Sequence, residues 1–229
     1  EVIVWRGGKW RRAGSLLPVP MPGGDLATLR PGRMAAAFLL AAGLDPVEAG
    51  LPLKELRIVV HQIERGLNCP ETTSAGRFLD AVSAWLGICR ERTYEGEPAM
   101  RLEAAAAGGC PAPVEPVILE RNGRSVLDTV ALFRELFRLR GEGASVADLA
   151  ATAQDALARG LARIAIRAAK EEGIGVIGIT GGAAVNDCIA SAVKREVGGA
   201  GLRYVQHGKV PPGDGGISFG QLVHAAYIL

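Results

Sequence analysis

A helix-rich α/β fold is what this sequence predicts, and three stretches predict it. The apolar run Ile174 to Ile179 stops at Thr180, passes Gly181 and Gly182, and resumes with helical character from Ala183 to Val193, which reads as strand, tight turn and helix. A second strand pattern, Leu202 to His207, follows that helix. Strand, helix, strand in this order gives a parallel pair with a right-handed crossover. The third stretch runs from about Val146 to Glu172, where Leu149, Ala153, Leu157, Leu161, Ile164 and Ala168 keep helical spacing, as in a long helix that packs beside a sheet.

Taken in order, Val2 to Trp5 and Trp10 to Leu17 form a hairpin turned at Gly7 and Gly8. Pro18 to Asp25, with three prolines and two glycines, cannot continue a strand. An Ala-rich helix follows over about Gly32 to Ala42. Leu53 to Arg65 is a second helix with Leu56, Val59, Val60 and Ile63 on one face and Gly66 as its cap. Ser74 is the N-cap of a helix to about Leu86. Beyond the loop Tyr94 to Pro98, an Ala-rich helix ends at Gly108 and Gly109. Residues 110–125, rich in Pro and Gly, read as a linker or hinge, and Val126 to Arg140 as a helix. The loop Gly208 to Gly216 leads to a final helix reaching Leu229.

Composition limits the possibilities. A chain of 229 residues that is 48% hydrophobic buries a core. Its longest apolar run falls well short of the roughly 18–20 residues that cross a bilayer, and its N-terminus lacks a signal layout. The chain is therefore expected to be soluble and cytoplasmic, with no membrane partner. Formal charge is +2, with Lys and Arg scattered among Asp and Glu, so charge neither suggests nor excludes nucleic acid. The cysteines Cys69, Cys89, Cys110 and Cys188 stand far apart and are expected to be buried free thiols.

Candidate chemistry gathers where the parallel strands end, since ligands of α/β sheets collect there. Glycines between strand and helix permit close backbone approach and turn amides toward an anion; the same pair also serves as plain turn chemistry. In the loop Val210-Pro-Pro-Gly-Asp-Gly-Gly216, Asp214 faces either a divalent metal beside phosphates or its own turn as a cap. Ser74, Gly76, Arg77 and Asp80 suit the phosphates and ribose of a nucleotide, or equally a capped helix carrying an ion pair. His61, His207 and His224 share no metal-ligand spacing, and Glu95, Glu97 and Glu103 read as solvated positions. Gly-x-Ser-x-Gly, a Walker-type Lys loop and His-Glu-x-x-His are absent from the sequence.

Five stretches together resemble one family. They are Pro18–Asp25, Gly66–Val82, Tyr94–Met100, Gly181–Asn186 and Val210–Gln221. In that order they are similar to the C-terminal carbamoyltransferase domain of the HypF family of NiFe-hydrogenase maturation proteins. The resemblance implies an actin-like, sugar-kinase-like (ASKHA) α/β fold, shared with enzymes that place threonylcarbamoyl groups on tRNA. It implies a partial domain over 1–229. Residues 1–31 would be the end of the first-lobe sheet with its Pro/Gly loop, and 32–229 a helical region and C-terminal nucleotide-binding lobe.

The resemblance places Gly181, Gly182 and Asn186 at the nucleotide, with Ser74, Gly76, Arg77 and Asp80 on a neighbouring helix and Gly96 beside them. Asp214 falls on a metal ligand. It further implies ATP or carbamoyl adenylate, and a divalent metal (Mg, Fe or Zn), as cofactors. The reaction implied is carbamoyl transfer to the C-terminal cysteine of a HypE-like partner, leading to cyanide-ligand synthesis; no residue of this chain is assigned a catalytic role. Partners are that protein and the remaining HypF domains or first lobe, with nucleic acid not expected.

The sequence also departs from the pattern. Ala183–Val185 stands for Val-Phe-Gln, Gln154 for a histidine and Arg101 for an acid, and the family's His-x-x-x-His and Asp-Gly-Thr-Gly segments do not occur. The chain then reads as a fragment that is inactive alone, as half of a split enzyme, or as a diverged relative that binds without turnover. TsaD-like threonylcarbamoyl transfer to tRNA is the alternative activity.

Overall fold

The computed structural model describes residues 1–228, and these divide into two compact units, each of which is discontinuous in sequence. One comprises residues 1–15, 118–127 and 158 onward, the other residues 16–117 and 128–157. Leu229, the expected end of the last helix, lies outside the described residues.

The second unit is helical. Strand β3 (Val19–Pro20) and helices α1 (Leu26–Leu29), α2 (Gly32–Ala41) and α3 (Leu53–Arg65) are followed by strand β4 (Glu71–Thr72) and by α4 (Ala75–Trp85) and α5 (Glu97–Ala105). Helix α6 (Thr129–Gly141) and the first part of α7 (Val146–Glu172) complete it. Helix α2 is buried from Gly32 to Leu39 and packs on α4, α3 and α6. An Ala-rich helix allows such close approach on several sides, and aromatic rings fill the remaining space. Phe38 lies 5.5 Å from Phe78 and 5.4 Å from Phe133, which lies 5.3 Å from Trp85. Phe78, Phe133 and Trp85 are each no more than 2% exposed. Such ring pairs add about 0.5–1.5 kcal/mol beyond area burial.

The first unit is α/β. Strands β1 (Val2–Arg6) and β2 (Lys9–Leu16) form the expected hairpin. Strands β5 (Ile118–Arg121) and β6 (Arg124–Leu127) form another, and the sheet order is β1-β2-β6-β5. The last part of α7 supplies Ala168, which packs with Val4 and Ala13. Two glycines allow close approach here: a Cβ on Gly14 would meet the Ser125 carbonyl oxygen at 2.6 Å, and one on Gly160 would meet Leu127 at 2.5 Å. Strands β7 (Val176–Ile179) and β8 (Arg203–Gln206) pair in parallel around α8 (Asp187–Gly199), as the sequence predicts. Helix α9 (Ile217–Ile228) ends the described chain. No helix is long and apolar enough to cross a membrane among the described residues.

Several expectations are corrected. Residues 118–127 are a hairpin rather than part of a linker, because Asn122 and Gly123 take φ of 50° and 70°, the conformation a two-residue hairpin turn demands. Val126 and Leu127 therefore belong to β6, and α6 begins after Asp128, whose carboxylate accepts from the Ala131 amide at 2.8 Å. Pro18–Asp25 contains the short strand β3, paired with β4. The helix expected from Ala183 starts later: Gly182–Val185 is a single 3-10 turn, and α8 begins after Asn186. Of the cysteines expected to be buried, Cys89 is, Cys69 is half-buried, and Cys110 and Cys188 are exposed.

Candidate functional site

In the α/β unit the glycine turn and the Pro-Pro-Gly-Asp loop come together, as their places at the ends of parallel strands lead one to expect. The Gly181 amide donates to the Pro212 carbonyl at 2.7 Å, and the Thr180 hydroxyl donates to the same oxygen at 3.1 Å. His207 Nε2 lies 3.0 Å from Thr180 Oγ1. One carbonyl thus ties the end of β7 to the loop after β8, and His207 closes the arrangement from the end of β8.

The two glycines play different parts. Gly181 has φ 89° and ψ 176°, a region that only glycine enters without strain. Gly182 has no such requirement, and a Cβ there would meet nothing within 4 Å. Packing therefore does not explain the missing side chain at Gly182, whereas a ligand lying close to the backbone would. Asn186 is 7% exposed, and its side chain caps α8, with Oδ1 accepting from the Ile189 amide at 2.9 Å. Its placement serves the helix start.

Asp214 opens a 3-10 turn, Asp214–Gly216, and is exposed. Among the described residues, no group of three or more His, Cys, Asp or Glu side chains gathers to hold a metal ion. A lone carboxylate does not hold a divalent cation by itself, because hard cations demand several oxygens. The described residues therefore do not by themselves form a metal site.

In the helical unit three of the five recognised stretches converge. The Pro/Gly loop lies against residues 67–74 through hydrogen bonds from Met21 N to Pro70 O (2.8 Å) and from Gly23 N to Asn68 O (2.8 Å). Buried Arg33 anchors this loop by donating to the Pro22 carbonyl at 3.0 Å and pairing with Glu55 at 2.8 Å. Burial alone would push the Glu55 carboxyl up, but hydrogen bonds from Arg33 and Arg30 overcome it and hold the group below its ordinary value.

Ser74 caps α4 as expected, its hydroxyl accepting from the Arg77 amide at 3.4 Å. A Cβ on Gly76 would meet only the Ser74 hydroxyl, at 3.5 Å, so this helix start is also open. Arg77 and Asp80 stand 2.9 Å apart with side chains 17% and 1% exposed, so the pair is buried rather than superficial. The approach angle does not make a hydrogen bond, and Arg77 Nη1 and Asp80 Oδ2 have no hydrogen-bond partner among the described residues. Burial raises Asp80 to about 6, against the smaller opposing pull of Arg77 and Arg92. Buried polar atoms left unpaired in a native fold call for an explanation, and a missing ligand is one.

Gly96, with φ 79°, precedes α5. Glu97 next to it is a correction: it is 1% exposed rather than solvated. Its carboxylate accepts from both the amide and the hydroxyl of Thr93 and pairs with Arg101 at 2.7 Å. The Thr93 amide, with further help from its hydroxyl and from Arg101, holds the Glu97 carboxyl below its ordinary value.

The site stretches thus fall into two clusters, Gly181, Gly182 and Asn186 with the Asp214 loop in one unit, and Ser74, Gly76, Arg77, Asp80 and Gly96 in the other. The probable carbamoyltransferase HypF of Methanocaldococcus jannaschii is 41% identical across 100% of this chain, which spans 30% of that protein. The carbamoyltransferase HypF homolog of Cupriavidus necator is 35% identical over 95% of this chain and 58% of its own length. A tRNA N6-adenosine threonylcarbamoyltransferase of Acaryochloris marina is 34% identical, but over 55% of this chain.

Among solved structures, the crystal structure of full-length HypF in the phosphate- and nucleotide-bound form superposes with a TM-score of 0.89 at 28% identity, covering 99% of this chain and 30% of that one. T. kodakarensis HypF gives 0.81 at 29% identity, covering 95% of this chain and 30% of its own. The fold is therefore the actin-like α/β fold that the resemblance implies. The carbamoyltransferase, Kae1-like domain, second subdomain family matches residues 1–221, and the chain belongs to that family.

Proposed function

We propose that this chain is the nucleotide-holding second subdomain of a HypF-type carbamoyltransferase, working in the cytoplasm with carbamoyl adenylate made from ATP. The observation that carries the reading is Gly182: an ordinary backbone conformation, open space where a side chain would stand, and a neighbour, Gly181, fixed to the Pro212 carbonyl. A turn held in this way presents backbone to a phosphate at little reorganisation cost.

In the proposed reaction, the thiolate of a C-terminal cysteine on a HypE-like partner attacks the carbamoyl carbon. A carbon–sulfur bond forms, the bond from that carbon to the adenylate phosphate oxygen breaks, and AMP leaves with the electron pair. This transfer would lead to cyanide-ligand synthesis in hydrogenase maturation. The remaining HypF domains or first lobe supply what this chain lacks, so the 229 residues alone are expected to bind without turnover. Asp214 would be a carboxylate donor to a divalent metal, which would supply charge neutralisation for the nucleotide, since Mg²⁺ typically takes only one or two protein carboxylates.

Calorimetric titration with ATP and Mg²⁺ tests this. One nucleotide is expected to bind, and Asp214→Ala is expected to weaken binding in Mg²⁺ while leaving binding in EDTA unchanged. Indifference to that change would remove Asp214 from the site, and absence of binding would remove the nucleotide. tRNA serves as the contrasting ligand, because the relative that modifies tRNA matches 55% of the chain. Retention of tRNA at physiological salt would favour threonylcarbamoyl transfer instead.

A further inference from the structure

The parallel ladder of β7 and β8 ends at the rung that pairs Ile179 with Gln206, and the next rung sets Thr180 opposite His207. Residues opposite each other on neighbouring strands, about 4.8 Å apart, turn their side chains to the same face. The register therefore brings these two side chains together, and His207 Nε2 stands 3.0 Å from Thr180 Oγ1. The glycine turn and the loop after β8 meet at the same place. There the Pro212 carbonyl accepts from the Thr180 hydroxyl at 3.1 Å and from the Gly181 amide at 2.7 Å.

This set of bonds fixes the place of a proton. A carbonyl oxygen only accepts, and a threonine hydroxyl has a single proton to give. That proton points at Pro212, so the hydroxyl accepts from the ring and the ring donates through Nε2. Of the two neutral tautomers, only the one protonated at Nε2 satisfies both bonds of Thr180 at once. Thr180 and His207 are both exposed, so hydrogen bonds rather than packing hold this end of the ladder.

We infer that His207 is a positioning residue for the glycine turn: its Nε2–H holds the Thr180 hydroxyl on the Pro212 carbonyl, which holds the Gly181 amide and so sets the backbone of Gly182. The ring acts through Thr180 rather than on a ligand. The consequence for nucleotide rests on the proposed role of this turn, whereas the proton position and the order of the turn do not.

Variants of the chain test this. A Gln side chain places its amide nitrogen as many bonds from Cα as His Nε2, whereas Asn reaches only as far as Nδ1. Amide exchange at Gly181, read without nucleotide, is expected to quicken about three- to tenfold in His207→Ala and His207→Asn, the equivalent of one hydrogen bond. His207→Gln is expected to stay near wild type. Long-range proton–nitrogen spectra in mildly alkaline buffer, where imidazole is neutral, are expected to show the proton on Nε2; His207→Gln identifies which of the three histidines gives the signal. Thr180→Val removes the acceptor and should return the ring to a mixture of tautomers. In titrations with ATP and Mg²⁺, His207→Ala and His207→Asn should weaken binding by the same factor, and His207→Gln should not. A proton on Nδ1, or Gly181 exchange unchanged by His207→Ala, overturns the inference. So does equal quickening by His207→Gln, His207→Asn and His207→Ala, which would make the ring a matter of packing. Exchange and spectra that follow the expected pattern in a chain that binds no ATP would uphold the positioning role and overturn the nucleotide reading instead.

Discussion

The helical unit and the α/β unit are built on opposite terms. In the first, the large rings of Phe78, Phe133 and Trp85 are all but inaccessible, and Arg140 closes over Trp85 at 4.9 Å. In the second, the rings of Trp5, Trp10, Phe219 and Tyr227 are about half exposed or more, and the buried side chains are aliphatic, among them Leu127, Ile164 and Ile189. The difference teaches that the helical unit is organised around buried rings, whereas the α/β unit is held by aliphatic side chains and leaves its rings at the surface. Each unit nevertheless holds one cluster of candidate site residues.

Substitution separates the two most sharply at their largest side chains. Phe133→Ala should cost about 3–5 kcal/mol, the usual penalty for emptying a buried aromatic site. Leu222→Ala, 67% exposed, should cost no more than about 0.5 kcal/mol. Chemical denaturation of both variants measures this, and comparable losses would mean that α9 is already buried.

The buried carboxyl of the helical unit gives the next largest effect. Asp80 titrates at about 6 when folded rather than at its ordinary 3.8. A raised value means that the native state holds the proton more tightly, so this group's contribution is fully present below pH 3.8 and is lost as pH rises through about 6. The full swing is about 3 kcal/mol at roughly 1.4 kcal/mol per unit. Wild type should therefore gain stability relative to Asp80→Asn as pH falls from neutral to acid, measured as paired thermal midpoints. A constant difference across that range would show that Asp80 titrates normally.

Backbone packing is tested in the α/β unit by Gly14→Ala. The added methyl would meet the Ser125 carbonyl oxygen at 2.6 Å and Ile164 at 2.5 Å, and overpacking of this kind costs about 1–3 kcal/mol. An unchanged denaturation midpoint would show that the two hairpins give way easily.

The smallest effect on stability should come from the second glycine of the turn. Gly181→Ala forces a methyl-bearing residue to φ 89° and ψ 176°, at about 1–3 kcal/mol. Gly182→Val should change stability by less than about 0.5 kcal/mol, yet weaken nucleotide binding. Equal destabilisation by both would make the pair plain turn chemistry.

Much of this was legible from local pattern. Leu53–Arg65 and Val146–Glu172 have the bounds that periodicity and capping predict, because apolar spacing over many residues outweighs end effects. The meeting of the glycine turn with the Pro-Pro-Gly-Asp loop followed from the rule that parallel strands end on one side. The Asn122-Gly123 turn was legible as well, but the surrounding Pro and Gly residues masked it as a hinge. Other features depend on distant contacts and could not be read in order along the chain. The union of residues 1–15 with 118–127 in one sheet is of that kind, and so is the burial of Glu97, which takes its partners from Thr93 and Arg101. Membership of the two candidate clusters rests on the family resemblance, because their residues stand far apart in the sequence.

Amide hydrogen exchange of the intact chain with and without ATP and Mg²⁺ tests the proposed site most directly. Nucleotide is expected to slow exchange over residues 181–184 and 213–216. Protection confined to other segments, or no change at saturating nucleotide, would contradict the proposal that the Gly181–Gly182 turn holds the nucleotide.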